Sequence, residues 1–171
     1  KSAFAWYRQA AELDFVPAYN KLANCYYLGV VDSVDYKTAV KWYRKGADAG
    51  DADAQYNIAH CYYMGRGVAQ NYNTAARWCA KAAAQGNADA MYLLGIMYYR
   101  GLGVEQDYGK AVNWYEMAAL KEHPAALYDL GVCHYYGQGV PKNRDKAIEL
   151  WRLSAELDFE DAVRALKDLD R

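Results

Sequence analysis

The stretch AMYLLGIMYYRGLGVEQDYGKAVNWYEMAA, residues 90 to 119, reads as two short helices around a glycine loop. Asn87 stands before the first helix as an N-cap, with Asp89 in the first turn, where the helix dipole favours acid. Gly101 stops that helix and GLGV turns the chain. The second helix opens at Asp107, again a capping residue. Another copy carries Ala39, Trp42, Tyr43, Gly46 and Ala47 at helical spacing, an apolar face, with Lys37, Lys41 and Arg44 on a solvated side.

The same pattern recurs through the chain in one register. Trp6, Trp42, Trp78 and Trp114 fall 36 residues apart, as do Ala18, Ala54, Ala90, Ala126 and Ala162. Gly29, Gly65, Gly101 and Gly137 repeat likewise, as do Leu22, Ile58, Leu94, Leu130 and Leu166. Asp51 aligns with Asn87 as an N-cap, and Pro124 starts the equivalent helix of another copy, where a missing N–H costs nothing. Asp35, Asn71, Asp107 and Asn143 open the second helices. Boundaries follow: a half unit at 1–15 (helix B only), full helix pairs at 16–51, 52–87, 88–123 and 124–159, and a half unit at 160–171 (helix A only). A single pair cannot bury its own apolar face, but stacked pairs can. The fold class is all-α: one α-solenoid domain, 1–171, of antiparallel helix pairs wound into a right-handed superhelix. Small residues such as Ala18, Ala23, Ala39 and Ala47 let its helices approach closely.

The unit A-x-x-x-L-G-x-x-Y-x-x-G-x-G-V, then D/N-x-x-x-A-x-x-W-Y, then A-A-x-x-G, resembles the Sel-one-like repeat, a longer-looped cousin of the tetratricopeptide repeat. The resemblance covers essentially the whole chain. It departs at LGVVDSVDY (28 to 36), which lacks the second loop glycine, at Leu150 in place of the helix B tryptophan, and at LKEHP (120 to 124) in place of AQGNA. It implies an adaptor or scaffold for protein complexes, in signalling, secretion or quality control, and no catalytic reaction.

Bulk properties narrow the partners. A net charge of −1 and a pI near 6.3 supply no basic stripe, so nucleic acid is not an expected partner. No apolar run approaches the ~20 residues that span a bilayer. The chain lacks an initiator Met and reads as helix from its first residues, so it is expected to be an excised or processed piece.

The segments AHCYYMGRGV (59 to 68) and GVCHYYGQGV (131 to 140) place His beside Cys and invite a metal or catalytic reading. Alignment argues against it. Cys25, Cys61 and Cys133 share one slot, which Met97 fills in the remaining unit. At ~100° per residue, Cys61 falls on the buried face and His60 roughly opposite, so the two do not converge. His134 replaces Tyr26, Tyr62 and Tyr98 and is expected to be buried and hydrogen-bonded. No C-x-x-C or H-x-x-x-H ligand spacing appears, and no metal or other cofactor is expected. Equivalent cysteines on stacked helices lie too far apart for disulfides. The cysteine-rich branch of the resembled family pairs cysteines at short spacing, and no such short pair occurs here. Free thiols fit a reducing compartment better than an oxidising one, with periplasmic or luminal sites left open. The GRGV and GLGV loops lack the G-K-[ST] end of a phosphate cradle and read as helix turns.

The angular count picks out a second stripe on helix A: Asn20, Asn24, Tyr27; Tyr56, His60, Tyr63; Tyr92, Ile96, Tyr99; Tyr128, Val132, Tyr135. Seven of the chain's 18 tyrosines lie on it. In helical-repeat superhelices helix A lines the concave wall, so the stripe is the expected binding groove for a partner peptide or helix. Tyrosine contributes apolar area with few rotors to freeze, plus one hydroxyl for a partner's backbone. The alternative is that the rings stack between neighbouring helices and set the curvature. Two further functional readings compete. One is self-association through the terminal half units, the first carrying Phe4 and Trp6, the last Lys167, Asp168, Asp170 and Arg171 as a polar cap. The other is a hydrolase, for which the sequence supplies no nucleophile paired with a base.

Overall fold

The computed structural model describes residues 2–30 and 33–169. Val31 and Asp32, in the loop that departs from the repeat, and Asp170 and Arg171, expected in the polar cap, lie outside the described residues. The chain divides into two compact units, Lys1–Asn87 and Ala88–Arg171. The first holds α1 (Ala3–Glu12), α2 (Val16–Leu28), α3 (Tyr36–Asp48), α4 (Ala52–Met64) and α5 (Tyr72–Ala84). The second holds α6 (Ala88–Arg100), α7 (Tyr108–Ala119), α8 (Pro124–Tyr136), α9 (Arg144–Glu156) and α10 (Glu160–Leu169). No strand occurs among the described residues, and no described helix is long and apolar enough to cross a membrane. The all-α class of packed helix pairs is therefore as the sequence predicts.

Side chains set the helix starts as expected. Asp35, Asp51, Asn71, Asp107 and Asn143 each accept a hydrogen bond from the backbone N–H three residues on. Gly29, Gly65 and Gly137 end α2, α4 and α8 in the left-handed conformation. The start of α8 was not foreseen in full: His123 is its cap, its Nδ1 accepting from Ala126 N at 3.2 Å, with Pro124 in the first turn.

Within each pair the helices run antiparallel. Tyr27 at the end of α2 meets Tyr36 at the start of α3, while Tyr19 near the start of α2 stacks on Trp42. In the first unit the core is built from Leu22, Ala23, Ala39, Tyr43, Ala54, Ile58 and Cys61. In the second it is built from Ala111, Val112, Tyr115, Leu127, Leu130, Cys133 and Leu150. Leu150, the departure from the tryptophan pattern, is buried beside Trp151, whose indole Nε1 donates to the Tyr128 carbonyl at 3.1 Å. The tryptophan has moved one residue along the helix, into the slot that Tyr43 and Tyr115 fill elsewhere. Arg44 differs from the solvated face assigned to it: it is half-buried and donates to the Tyr62 hydroxyl.

Two loop positions are constrained by backbone. A Cβ at Gly139 would sit 2.3 Å from the Tyr108 carbonyl oxygen, and one at Gly67 would sit 2.3 Å from that of Tyr36. The second loop glycine therefore exists so that one pair's loop can lie on the start of the preceding helix B. By contrast, positions 14, 50, 86, 122 and 158 all have positive φ, yet only Gly50 and Gly86 are glycine. Asp14, Glu122 and Asp158 occupy the left-handed region at φ 58, 56 and 60.

A left-handed conformation costs an L-residue roughly 1–2 kcal/mol, more than the ~0.5–1 kcal/mol of extra chain entropy that glycine loses. Glu122→Gly is thus expected to raise stability by about 0.5 kcal/mol, seen as a higher urea midpoint at unchanged slope. Gly139→Ala is expected to cost about 2 kcal/mol, in the range for overpacking against backbone. A neutral Gly139→Ala would show that the loop does not lie on Tyr108 as described.

Candidate functional site

Each unit carries its own part of the helix A stripe, and the rings there are half-buried rather than fully open. In the first unit, Tyr27 packs edge-on against Tyr36 at 4.9 Å, and its hydroxyl accepts from the Arg66 guanidinium, which also lies over both rings. Asn24 Oδ1 accepts from the Tyr43 hydroxyl at 2.5 Å. Asn20 is buried, its Oδ1 accepting from Asn57 Nδ2 at 2.8 Å, so it offers the stripe almost no surface. Tyr56 and His60 face one another, ring centroids 6.1 Å apart. Tyr63 packs edge-on against Tyr72 at 5.4 Å, and its hydroxyl meets no protein partner among the described residues.

In the second unit, Tyr99 repeats the Tyr27 arrangement, edge-on to Tyr108 at 5.0 Å, with its hydroxyl donating to Gln138 Oε1 at 2.7 Å. Tyr92 stacks on His123 at 4.6 Å and donates to Asp129 Oδ2 at 3.0 Å. Tyr128 lies between Trp151 and Phe159, and Tyr135 against Tyr136 and Trp151; neither hydroxyl meets a protein partner among the described residues. Ile96 and Val132 are half-buried and line, with Tyr92, Tyr99, Tyr115 and Asp129, a cavity of about 230 Å³. Arg100, itself exposed, lines it as well. Burial raises the Asp129 carboxyl above its ordinary range, opposed by the Tyr92 hydrogen bond and the Arg100 charge.

The stripe is thus held together by side-chain bonds that reach 37 or 39 residues along the chain: Asn20–Asn57, Tyr92–Asp129, Tyr27–Arg66 and Tyr99–Gln138. Sequence reasoning missed Asp129, Tyr115, Arg66 and His123 in this setting. The signal for His123 was present, since it aligns with the caps Asp51 and Asn87. It also links Nε2 to Asp89 Oδ1 at 3.1 Å, as Asn87 links to Asp53 at 2.9 Å.

The His and Cys residues fall as the face argument predicts, with one correction. Cys61, Cys79 and Cys133 are buried, Cys25 is half-buried, and all four thiols are free. Burial pushes Cys61 up to about 11, and Cys79 and Cys133 up to about 12. His60 is half-buried, and burial followed by the Arg66 charge holds its pKa below the ordinary value. His134 departs from expectation: it is half-buried, and its Nδ1 is buried without a hydrogen-bond partner. The tyrosines it replaces are themselves half-buried, so the slot does not supply the polar core partner an imidazole would need.

The Sel1 repeat family model matches residues 1–15, 16–51, 52–87, 88–123 and 124–159. Comparison with curated proteins found no match. Among solved structures, a Sel1 repeat protein from Oxalobacter formigenes is 32% identical, with a TM-score of 0.93 over 99% of this chain and 67% of the other. The protective antigen c5321 of uropathogenic Escherichia coli, described as displaying an SLR fold, is 34% identical, with a TM-score of 0.86 over 94% of this chain. This chain spans 34% of that antigen's length. The immunity protein PA5088 from Pseudomonas aeruginosa is 25% identical, with a TM-score of 0.63 over 93% of this chain and 58% of its own.

Raised thiol pKa values and burial together make the cysteines poor nucleophiles near neutral pH. A colorimetric thiol reagent is expected to label Cys25 first and the other three only as fast as the protein opens, with all four reacting in denaturant. Rapid native labelling of Cys61 or Cys133 would contradict the packing described.

Proposed function

The chain belongs to the Sel1 repeat family, and from that premise we propose that it is an interaction scaffold whose helix A stripe binds a peptide or helix of another protein. Sel1 repeat proteins generally mediate protein interactions and are typically not enzymes, and the stripe gives this chain a surface suited to that role. One observation carries the reading. Most polar groups of the stripe are satisfied internally, but the hydroxyls of Tyr63, Tyr128 and Tyr135 have no protein partner among the described residues. Rings held by neighbours, with a hydroxyl left over, are pre-organised to contact a partner at little further entropic cost. Tyr27, with Asn20 and Asn24, acts as a support in the first unit, and Tyr92 and Tyr99 do so in the second. Tyr56 and His60 complete the contact surface of the first unit, and Ile96 and Val132 that of the second.

This chain is proposed not to be an enzyme. Burial raises the pKa values of Cys61, Cys79 and Cys133, which weakens them as nucleophiles and supports that reading.

Self-association has a specific observation of its own. Trp6, Leu13 and Phe15, at and after α1, are 58%, 76% and 59% exposed. Light scattering over a concentration series tests it: a mass that rises with concentration, and stays monomeric in Leu13→Lys, would favour that reading.

For the scaffold, the expected result is a protein retained from source-cell extract by the wild type and released by Tyr63→Phe, Tyr135→Phe. Each lost hydroxyl bond is worth about 0.5–1.5 kcal/mol, so the double variant should bind about fivefold weaker or worse. The double variant should melt with the wild type, because neither hydroxyl is bonded among the described residues. Equal retention by both would make the stripe architecture alone.

A further inference from the structure

The two units carry the same part of the repeat with different chemistry. Shifted by 72 residues, Asn24, Tyr43, Asn57 and His60 of the first unit become Ile96, Tyr115, Asp129 and Val132 of the second. In the first unit the polar groups close on one another: the Tyr43 hydroxyl donates to Asn24, and Asn57 donates to Asn20. In the second unit the network is opened. Ile96 cannot accept from Tyr115, and a carboxylate replaces the amide of Asn57. Tyr115 is only 2% exposed, yet its hydroxyl meets no protein partner among the described residues. Asp129 Oδ2 accepts from Tyr92, while Oδ1 meets no protein donor there. Both groups line the 230 Å³ cavity, whose remaining walls include the Tyr92 and Tyr99 rings.

We infer that this cavity is a subsite for a cationic side chain, a lysine ammonium or an arginine guanidinium, presented by the partner segment that the stripe binds. The inference rests on the scaffold reading above. Three features select that ligand. Its size lies below the ~300–1,000 Å³ of pockets that take drug-sized molecules, so the cavity takes one long side chain rather than a helix. Its unsatisfied groups, a carboxylate oxygen and a phenol oxygen, both accept hydrogen bonds, which a cation's N–H groups donate. Its walls include the aromatic side chains of Tyr92 and Tyr99, a residue type that attracts cations. A half-buried carboxylate is costly unless paired, and a bound cation supplies the pairing. Arg100 does not: although it lines the cavity, it is exposed and forms no ion pair with Asp129 among the described residues. Its like charge works against an incoming cation. Asp161 and His123 also act on the Asp129 carboxyl, raising and lowering its pKa respectively.

The test uses the chain alone and reads the Val132 methyl resonances, which report on the cavity wall. Butylammonium and butylguanidinium, added separately, should each be tried against butanol and butyrate as neutral and anionic controls. At least one cation should shift Val132 saturably, the better one identifying lysine or arginine as the natural occupant, while butanol and butyrate do not. Asp129→Asn should weaken that binding about tenfold or more. Ile96→Asn, which gives Tyr115 the acceptor that Asn24 gives Tyr43, should weaken it too while keeping or raising the melting temperature. Arg100→Gln should tighten it. Absence of a saturable shift, an equal response to butanol, stronger binding of butyrate, or no effect of both Asp129→Asn and Ile96→Asn would overturn the inference. So would unchanged or weaker cation binding in Arg100→Gln, which would make Arg100 the carboxylate's own counter-ion. A partner captured through Tyr63 and Tyr135 alongside a silent Val132 would reject the cation subsite and leave the scaffold reading intact. Cation binding without any captured partner would do the reverse.

Discussion

Close approach of helices across alanine is the constraint on which the rest of this structure depends. The helices are 10 to 13 residues long, too short to persist alone in water. Their stability has to come from neighbours, and the residues at the contacts are small. Ala18, Ala54, Ala90, Ala126 and Ala162 are all 3% exposed or less. A Cβ on Gly46 would come within 2.8 Å of the Ala54 Cβ, so α3 and α4 meet where only glycine opposite alanine fits. With backbones this close, larger side chains are pushed to either side of the contact, and the tyrosines end up there.

That displacement explains why so many tyrosines are half-buried. Tyr27, Tyr92 and Tyr99 each present a ring to a neighbouring side chain and a hydroxyl to a residue one repeat further on. Where the residue 37 or 39 positions along is polar, the hydroxyl or amide is bonded, as in Tyr92–Asp129, Tyr27–Arg66 and Tyr99–Gln138. The first-turn acids behave likewise, Asp53 with Asn87 and Asp89 with His123. Each such bond contributes only about 0.5–1.5 kcal/mol net. Their larger effect is on register: a slip of one residue would leave buried polar groups unpaired, which costs more than the bonds contribute.

Most of the fold was legible in the sequence because its determinants are local and recur. The caps Asp35, Asn71, Asp107 and Asn143, the stop glycines and the alanine face all act within one helix or one turn, and a fixed period reveals them. The angular count assigned the stripe to helix A, and its residues lie on α2, α4, α6 and α8. It failed to distinguish open from half-buried positions, because burial of Tyr27 or Asn20 is decided by Arg66 and Asn57, whose reach depends on how helices stack. Arg44 escaped for the same reason, its partner Tyr62 being on another helix. His134 was read through the tyrosines it replaces, on the assumption that the slot was core. His123 was legible and overlooked: alignment puts it in the cap column, where an imidazole nitrogen does what Asp51 does with a carboxylate.

A repeat protein reuses one solution for its core, so its individuality has to reside where the columns diverge. The alanine column and the helix B caps Asp35, Asn71, Asp107 and Asn143 barely change between units, and a change there would disturb packing that every pair shares. The columns at Asn57/Asp129 and Asn24/Ile96 are different: the backbone is indifferent to them, and each exchange alters charge or hydrogen bonding without altering the contact between helices. One place closes into a neutral amide network, the other opens around a carboxylate and an unbonded phenol. Recognition can therefore differ from unit to unit on a scaffold whose stability does not, and chemically distinct subsites follow from substitutions that leave the alanine contacts untouched.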